Sequence, residues 1–132
     1  MLTGEEREAL VKYRIEKAYR TLVEARDCAT MNHWTLAANR LYYATHYASS
    51  ALLIQNGIMA KSHEGVIGMI GQNFVVKGIV SKEDAKLLAR LQNMRKTGDY
   101  DDFIEWHQEE VEPLFEKVEE YINKIKTLVE LK

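Results

Sequence analysis

Cysteine, proline and glycine are all scarce in this 132-residue chain: one Cys, one Pro and seven Gly. With Cys28 alone, no disulfide can form within the chain, and nothing points to an oxidising compartment. Long hydrophobic runs are also missing. The longest aliphatic stretches are about four residues, as at Ala51-Leu52-Leu53-Ile54, where a membrane span needs ~20. The first ten residues carry three glutamates and no apolar core, so no signal peptide is expected and a soluble, cytoplasmic protein is. No charge dominates. Eighteen Lys and Arg stand against twenty Asp and Glu, a formal net charge of −2. That sum excludes a globally basic nucleic-acid binder but leaves room for a local basic patch. The near-balance hides a polarity, since from Asp99 onward 11 acidic residues face 4 basic ones. The acidic final segment reads equally as a partner surface or a solvated face.

Helix formers fill the chain instead. Ala, Leu, Glu, Lys and Arg make up 58 of the 132 residues. Thr3-Gly4-Glu5-Glu6 has the form of a capping box. Behind it Val11, Ile15, Ala18, Leu22, Ala25 and Ala29 recur at steps of four and three, which predicts a helix over about 4–29. Asn32 is the expected cap of a second helix, with the stripe Trp34, Ala37, Leu41, Ala44, Ala48, Ala51 and Leu52, ended by Asn56-Gly57. Ser62 caps a short helix holding Val66, Ile67 and Ile70. Phe74 to Val80 reads as a helix end plus a connection. Ser81-Lys82-Glu83-Asp84 opens a helix with acids in its first turn. Its stripe is Ala85, Leu88, Leu91 and Met94, and Gly98 is its expected stop. A polar connection, Asp99-Tyr100-Asp101-Asp102, follows. Pro113 belongs in the first turns of the last helix, which places its start around 108–110. The fold class predicted is all-α: one domain over 1–132, an antiparallel up-and-down bundle of four long helices and one short one.

Few residues could carry chemistry. The histidines are His33, His46, His63 and His107; no two are spaced i,i+3 or i,i+4, so no metal site and no cofactor is expected. Gly65, Gly68 and Gly71 lack the Lys-Ser/Thr of a phosphate loop, and their spacing suggests close helix packing. On the second helix Arg40, Tyr43 and Tyr47 fall within about 60° of one another. An arginine beside two tyrosines can hold a phosphate while the rings stack on a base. An aromatic flank covered by a neighbouring helix or a second subunit is the plainer reading. His63, at the start of the short helix, can exchange protons near neutral pH, or simply occupy a first turn. Arg95, with Asp99 and Tyr100 close behind, suits a phosphate bound bidentately, although a cation at a helix C-terminus is favoured by the dipole alone.

In this order and spacing these pieces resemble HEPN domains (higher eukaryotes and prokaryotes nucleotide-binding). The matching residues are Ala38-Asn39-Arg40-Leu41-Tyr42-Tyr43-Ala44, Ala51-Leu52-Leu53 with Gly57, and Lys61-Ser62-His63-Glu64-Gly65-Val66. Phe74-Val75 with Gly78, and Leu91-Gln92-Asn93-Met94-Arg95 running to Asp99-Tyr100-Asp101, complete them. The resemblance is close over 36–101 and follows the pattern of the terminal helices. It implies a helical homodimer with a cleft at its interface that binds a nucleotide or RNA. It also implies a toxin-like, metal-independent ribonuclease partnered by a minimal nucleotidyltransferase, or else a non-catalytic subunit of such a partner. Ribonucleases of this kind use Arg-x4–6-His. Here Arg95 is followed by Asp99 and Tyr100, with no histidine in that window. Arg40-x5-His46 has the spacing, but on one helix those side chains point about 120° apart. A tyrosine, with pKa near ~10, is a poor base at neutral pH. The candidate catalytic residues are therefore Arg95, His63 and Tyr100, with His63 required to approach Arg95 in space. The candidate phosphate-binding residues are Arg40, Tyr43, Tyr47, Arg95 and Asp99.

Overall fold

The structure is a computed structural model. It describes residues 2–100 and 104–130, the side chains of Asp99 and Tyr100 excepted. Five helices follow one another: α1 (Gly4–Thr30), α2 (Trp34–Gln55), α3 (His63–Ile70), α4 (Lys82–Tyr100) and α5 (Gln108–Glu130). No strand occurs among the described residues, so the all-α bundle of four long helices and one short one stands. The α1–α2 join is too short for anything but an antiparallel pair. α2 is the hub and touches α1, α3, α4 and α5. Its alanines explain this: Ala37, Ala44, Ala48 and Ala51 are fully buried and let neighbouring helices approach closely, while Leu41 and Leu52 fill the space between.

The helix ends obey local chemistry. Thr3 and Glu6 make the capping box, the Glu6 amide donating to Thr3 Oγ1 at 3.1 Å and the Thr3 amide to Glu6 Oε1 at 2.8 Å. Ser62 caps α3, accepting from the Gly65 amide at 2.9 Å. Gly57, at φ 70°, closes α2 in the left-handed conformation. α5 begins at Gln108 and carries Pro113 within its opening turns.

Three expectations need correction. Asn32 does not cap α2. It takes φ 62° in the turn after α1, a conformation asparagine tolerates, and His33 is the N-cap, with no side-chain hydrogen bond. Gly98 does not stop α4, and residues 99 and 100 are helical instead of a connection. Gly98 faces packed neighbours: a Cβ there would lie 3.5 Å from Thr35 Cγ2 and 3.6 Å from Trp106 Nε1, ordinary contact distances. Trp106 is fixed in that space, its amide donating to Thr35 Oγ1 at 2.9 Å and its indole N–H to the Met94 carbonyl at 3.2 Å. The Gly65-Gly68-Gly71 spacing does not seat a helix, since a Cβ on Gly68 or Gly71 would meet nothing within 4 Å. The reading of Phe74 to Val80 as a helix end plus a connection holds: a single π-helical turn, Gly71–Val75, buries Phe74 before the chain turns at Gly78.

One polar pair is locked inside the bundle. Ser49 Oγ and Tyr121 Oη, both buried, lie 2.7 Å apart and join α2 to α5. Lys124 reaches Asp84 at 3.0 Å and joins α5 to α4.

Candidate functional site

Where α2, α3 and the end of α4 meet, aromatic and cationic side chains converge. Along α2, Tyr42, Tyr43, His46 and Tyr47 are spaced i, i+1, i+4 and i+5, so they form one ring-bearing face. The Ser62 cap begins α3 at the point where His63 is laid across this face. The His46 and His63 ring centroids are 4.4 Å apart. His63 is also 5.8 Å from Tyr42 and 5.7 Å from Tyr43. From the last turns of α4, the Arg95 guanidinium sits 5.4 Å from the Tyr42 ring centre and 5.6 Å from that of Tyr43. Lys96, beside it, forms an ion pair with Glu64 that ties α4 to the start of α3.

The electrostatics follow from this crowding. His46 is pushed down to about 4 by burial first, then by the charges of His63, Arg14 and Arg95. His63 is lowered by burial and by Arg95, while Glu64 pulls the other way. Tyr42 is pushed up to about 12, chiefly by burial, so its hydroxyl keeps its proton. Tyr42 Oη and His63 Nδ1 are buried and have no hydrogen-bond partner among the described residues. A cluster of two imidazoles, a protonated phenol and an arginine is suited to an anion that exchanges protons.

The proposed residues divide. His63, Arg95 and Tyr43 come together. Tyr47 flanks them, 6.2 Å from Tyr43 and 5.7 Å from His46. The Arg40 guanidinium lies 5.0 Å from the Tyr43 ring centre, but it is engaged by Asn39 at 2.9 Å and Glu24 at 3.5 Å. The side chains of Asp99 and Tyr100 lie outside the described residues. Sequence reasoning misses two members. His46 diverges from Arg40 on the helix, which hides it; its actual neighbour is His63 on another helix. Tyr42 enters the sequence reading only within the stretch that carries the resemblance, with no role of its own. The recoverable signal is the run of four rings at i, i+1, i+4 and i+5.

Among the described residues no group of three or more His, Cys, Asp or Glu is placed to hold a metal ion. A concavity of about 800 Å³ opens elsewhere, between α1 and α5. No helix among the described residues is long and apolar enough to cross a membrane.

Comparison with known proteins places this bundle. The model of the HEPN domain matches residues 11–128. The chain belongs to the HEPN family. Among its HEPN relatives, a UPF0332 protein of Thermotoga maritima is 34% identical over 125 residues, covering 95% of each chain. A protein of Methanocaldococcus jannaschii named "Putative toxin" is 33% identical over 112 residues, 85% of this chain and 76% of its own. A second protein of that organism with the same designation is 31% identical over 90 residues, 68% of this chain and 66% of its own. The HEPN match spans every element that builds the cluster, from α2 through the end of α4.

Proposed function

We propose that this HEPN protein binds an RNA or nucleotide phosphate at the His46–His63–Arg95 cluster and acts there as a toxin-like ribonuclease. The observation that carries the reading is the pairing of His46 and His63 at 4.4 Å beside Arg95. The cluster supplies the histidine that the Arg95 motif lacks in sequence. The names borne by the Methanocaldococcus relatives agree with a toxin-like role.

The chemistry divides by environment. His46, held neutral, accepts the proton of a ribose 2′-hydroxyl as that oxygen bonds to phosphorus. His63, with Glu64 beside it, is the one to arrive protonated and gives its proton to the 5′ oxygen as the P–O bond breaks. The products are a 2′,3′-cyclic phosphate and a 5′-hydroxyl. Arg95 neutralises charge on the phosphoryl oxygens, and the Tyr42 hydroxyl donates to one of them. In this reading the protein is a homodimer, its cleft lies near the dimer interface, and a minimal nucleotidyltransferase is its partner. Asp99 orients the phosphate and Tyr100 adds a hydrogen bond or stacks.

Incubation with single-stranded RNA in the presence of a chelator tests this. His46→Ala, His63→Ala and Arg95→Ala should each lower the cleavage rate by about 10²–10⁴-fold, and the wild type should leave cyclic phosphate ends. A wild type that never cuts, or three variants that cut as well as it does, overturns the nuclease reading. One observation favours a second reading, a non-catalytic helical subunit paired with a nucleotidyltransferase: no histidine follows Arg95 at four to six residues. Nucleotide binding without cleavage, abolished by Arg95→Ala, would establish it.

A further inference from the structure

From the histidine pair, a second line of rings and cations runs outward across α2 onto α1. Lys17 Nζ sits 4.6 Å from the Tyr47 ring centre and 5.8 Å from that of Tyr13, so it lies between a tyrosine of the cluster's edge and one on the outer face of α1. The Arg20 guanidinium covers Tyr13 at 5.6 Å, and that of Arg14 covers Tyr47 at 5.9 Å. Tyr13 is 47% exposed, a large ring left facing water. On the helix wheel Tyr13, Lys17 and Arg20 fall within about 60° of each other. Some surface cations are held by acids, as in Arg26–Glu119, Lys96–Glu64 and Lys124–Asp84, and others are not. Arg14, Lys17 and Arg20 make no ion pair among the described residues. The acids of this stretch of α1 are occupied or lie elsewhere: Glu24 is paired with Arg40, and Glu16 lines the concavity toward α5.

We infer that Tyr13, Lys17 and Arg20, continued by Tyr47, form an accessory track for the single-stranded RNA flanking the scissile phosphate. The inference rests on the RNA-handling reading of the cluster. Alternating cations and aromatic faces suit a strand whose phosphates and bases alternate: the ammonium and guanidinium take phosphates, while the π-face of Tyr13 takes a base. Single strands are favoured because the bases of a duplex are stacked away from such rings. The track is local, which agrees with a chain whose overall charge is slightly negative.

The test separates the track from the cluster. Binding of a fluorescein-labelled oligouridylate is followed by anisotropy in the His46→Ala background, where the strand is not cut. Cleavage of the same strand and of the dinucleotide UpU, which spans only the scissile phosphate, is followed with otherwise wild-type protein. Tyr13→Ala should weaken strand binding by about 5–100-fold, and Tyr13→Phe, which keeps the π-face, should restore it. Lys17→Gln with Arg20→Gln should flatten the dependence of log K on log salt by about 1.4, since each phosphate left without its cation removes ~0.7 from the slope. The preference for the longer strand over UpU should fall in parallel. Unchanged binding and salt slope in these variants overturn the track. So does loss of self-association on sedimentation, which would make this face a protein interface. Cleavage of UpU with no affinity for the longer strand leaves the cluster and removes the track. Strand binding that the variants weaken, in a protein that never cuts, keeps the track and removes the nuclease reading. Neither binding nor cleavage removes both.

Discussion

At the scale of single residues, His46 is the informative position. Folding holds its imidazole neutral down to about 4, whereas the unfolded chain takes up the proton near ~6.5. The unfolded state therefore gains protons first as the pH falls. The stabilising contribution is complete above about pH 6.5 and is lost as the pH drops toward 4. His63 is shifted the same way and adds to the effect. With the ring partly open to solvent, about 1 kcal/mol should disappear between about pH 7 and pH 5. Urea unfolding at several pH values should show a flatter profile for His46→Gln, and an equally steep one would contradict the shift. The same two shifts place the RNA-cleavage optimum on the acid side of neutrality, because His63 must be protonated while His46 is not. A kcat/KM profile that rises through pH 8 would be incompatible with those roles. Arg95, Tyr43 and His63 can be picked from the sequence because each sits near a helix end or on a recognisable face. His46 cannot, because its role depends on a second helix delivering His63, and helical spacing carries no information about that.

Among the elements, apolar periodicity locates every helix, and the errors fall where one residue type admits two uses. Glycine shows this best. Gly57 at φ 70° ends α2, whereas Gly98 sits inside α4 in contact with Trp106, and Gly68 does neither. These roles predict different responses to alanine. Gly68→Ala should stabilise the protein by about 0.5–1 kcal/mol, since the new methyl enters open space and α3 gains a better helix former. Gly57→Ala should cost about 1 kcal/mol or more through left-handed strain. Thermal unfolding of the pair decides it, and equal shifts would show that the glycine assignments are mistaken. Asn32 illustrates the same ambiguity, because asparagine serves helix caps and left-handed turns alike. The π-helical turn at Gly71–Val75 has no signature in the pattern at all, since it differs from α-helix only in which carbonyl each amide finds.

Across the whole molecule, α2 couples the core to the site. One face of it buries Leu41, Ala44 and Ala48, and another carries Tyr43, His46 and Tyr47. Damage to the first face should reach the second. Leu41→Ala should cost about 2–5 kcal/mol, and the loss should appear as one cooperative transition in which site and core unfold together. Ser49→Ala should cost about 1–3 kcal/mol by leaving the Tyr121 hydroxyl buried and alone. Denaturant titration measures both, and a change below a few tenths of a kcal/mol would mean that the Ser49–Tyr121 pair is dispensable. Fold class is readable from composition and stripes because a bundle is built from local repeats. The cluster is readable only in part because three helices assemble it.

The hydrogen bond from Trp106 to α4 has an optical consequence. Trp34 and Trp106 are the chain's two indoles, and both line one cavity of about 590 Å³ between the start of α2 and residues 105–107. The Trp106 indole is hydrogen-bonded to the carbonyl of Met94, the residue next to Arg95. Any ligand that draws Arg95 toward itself pulls on the backbone that sets the polarity around that fluorophore. The emission of the unlabelled protein thus reports directly on the helix turn that carries the arginine.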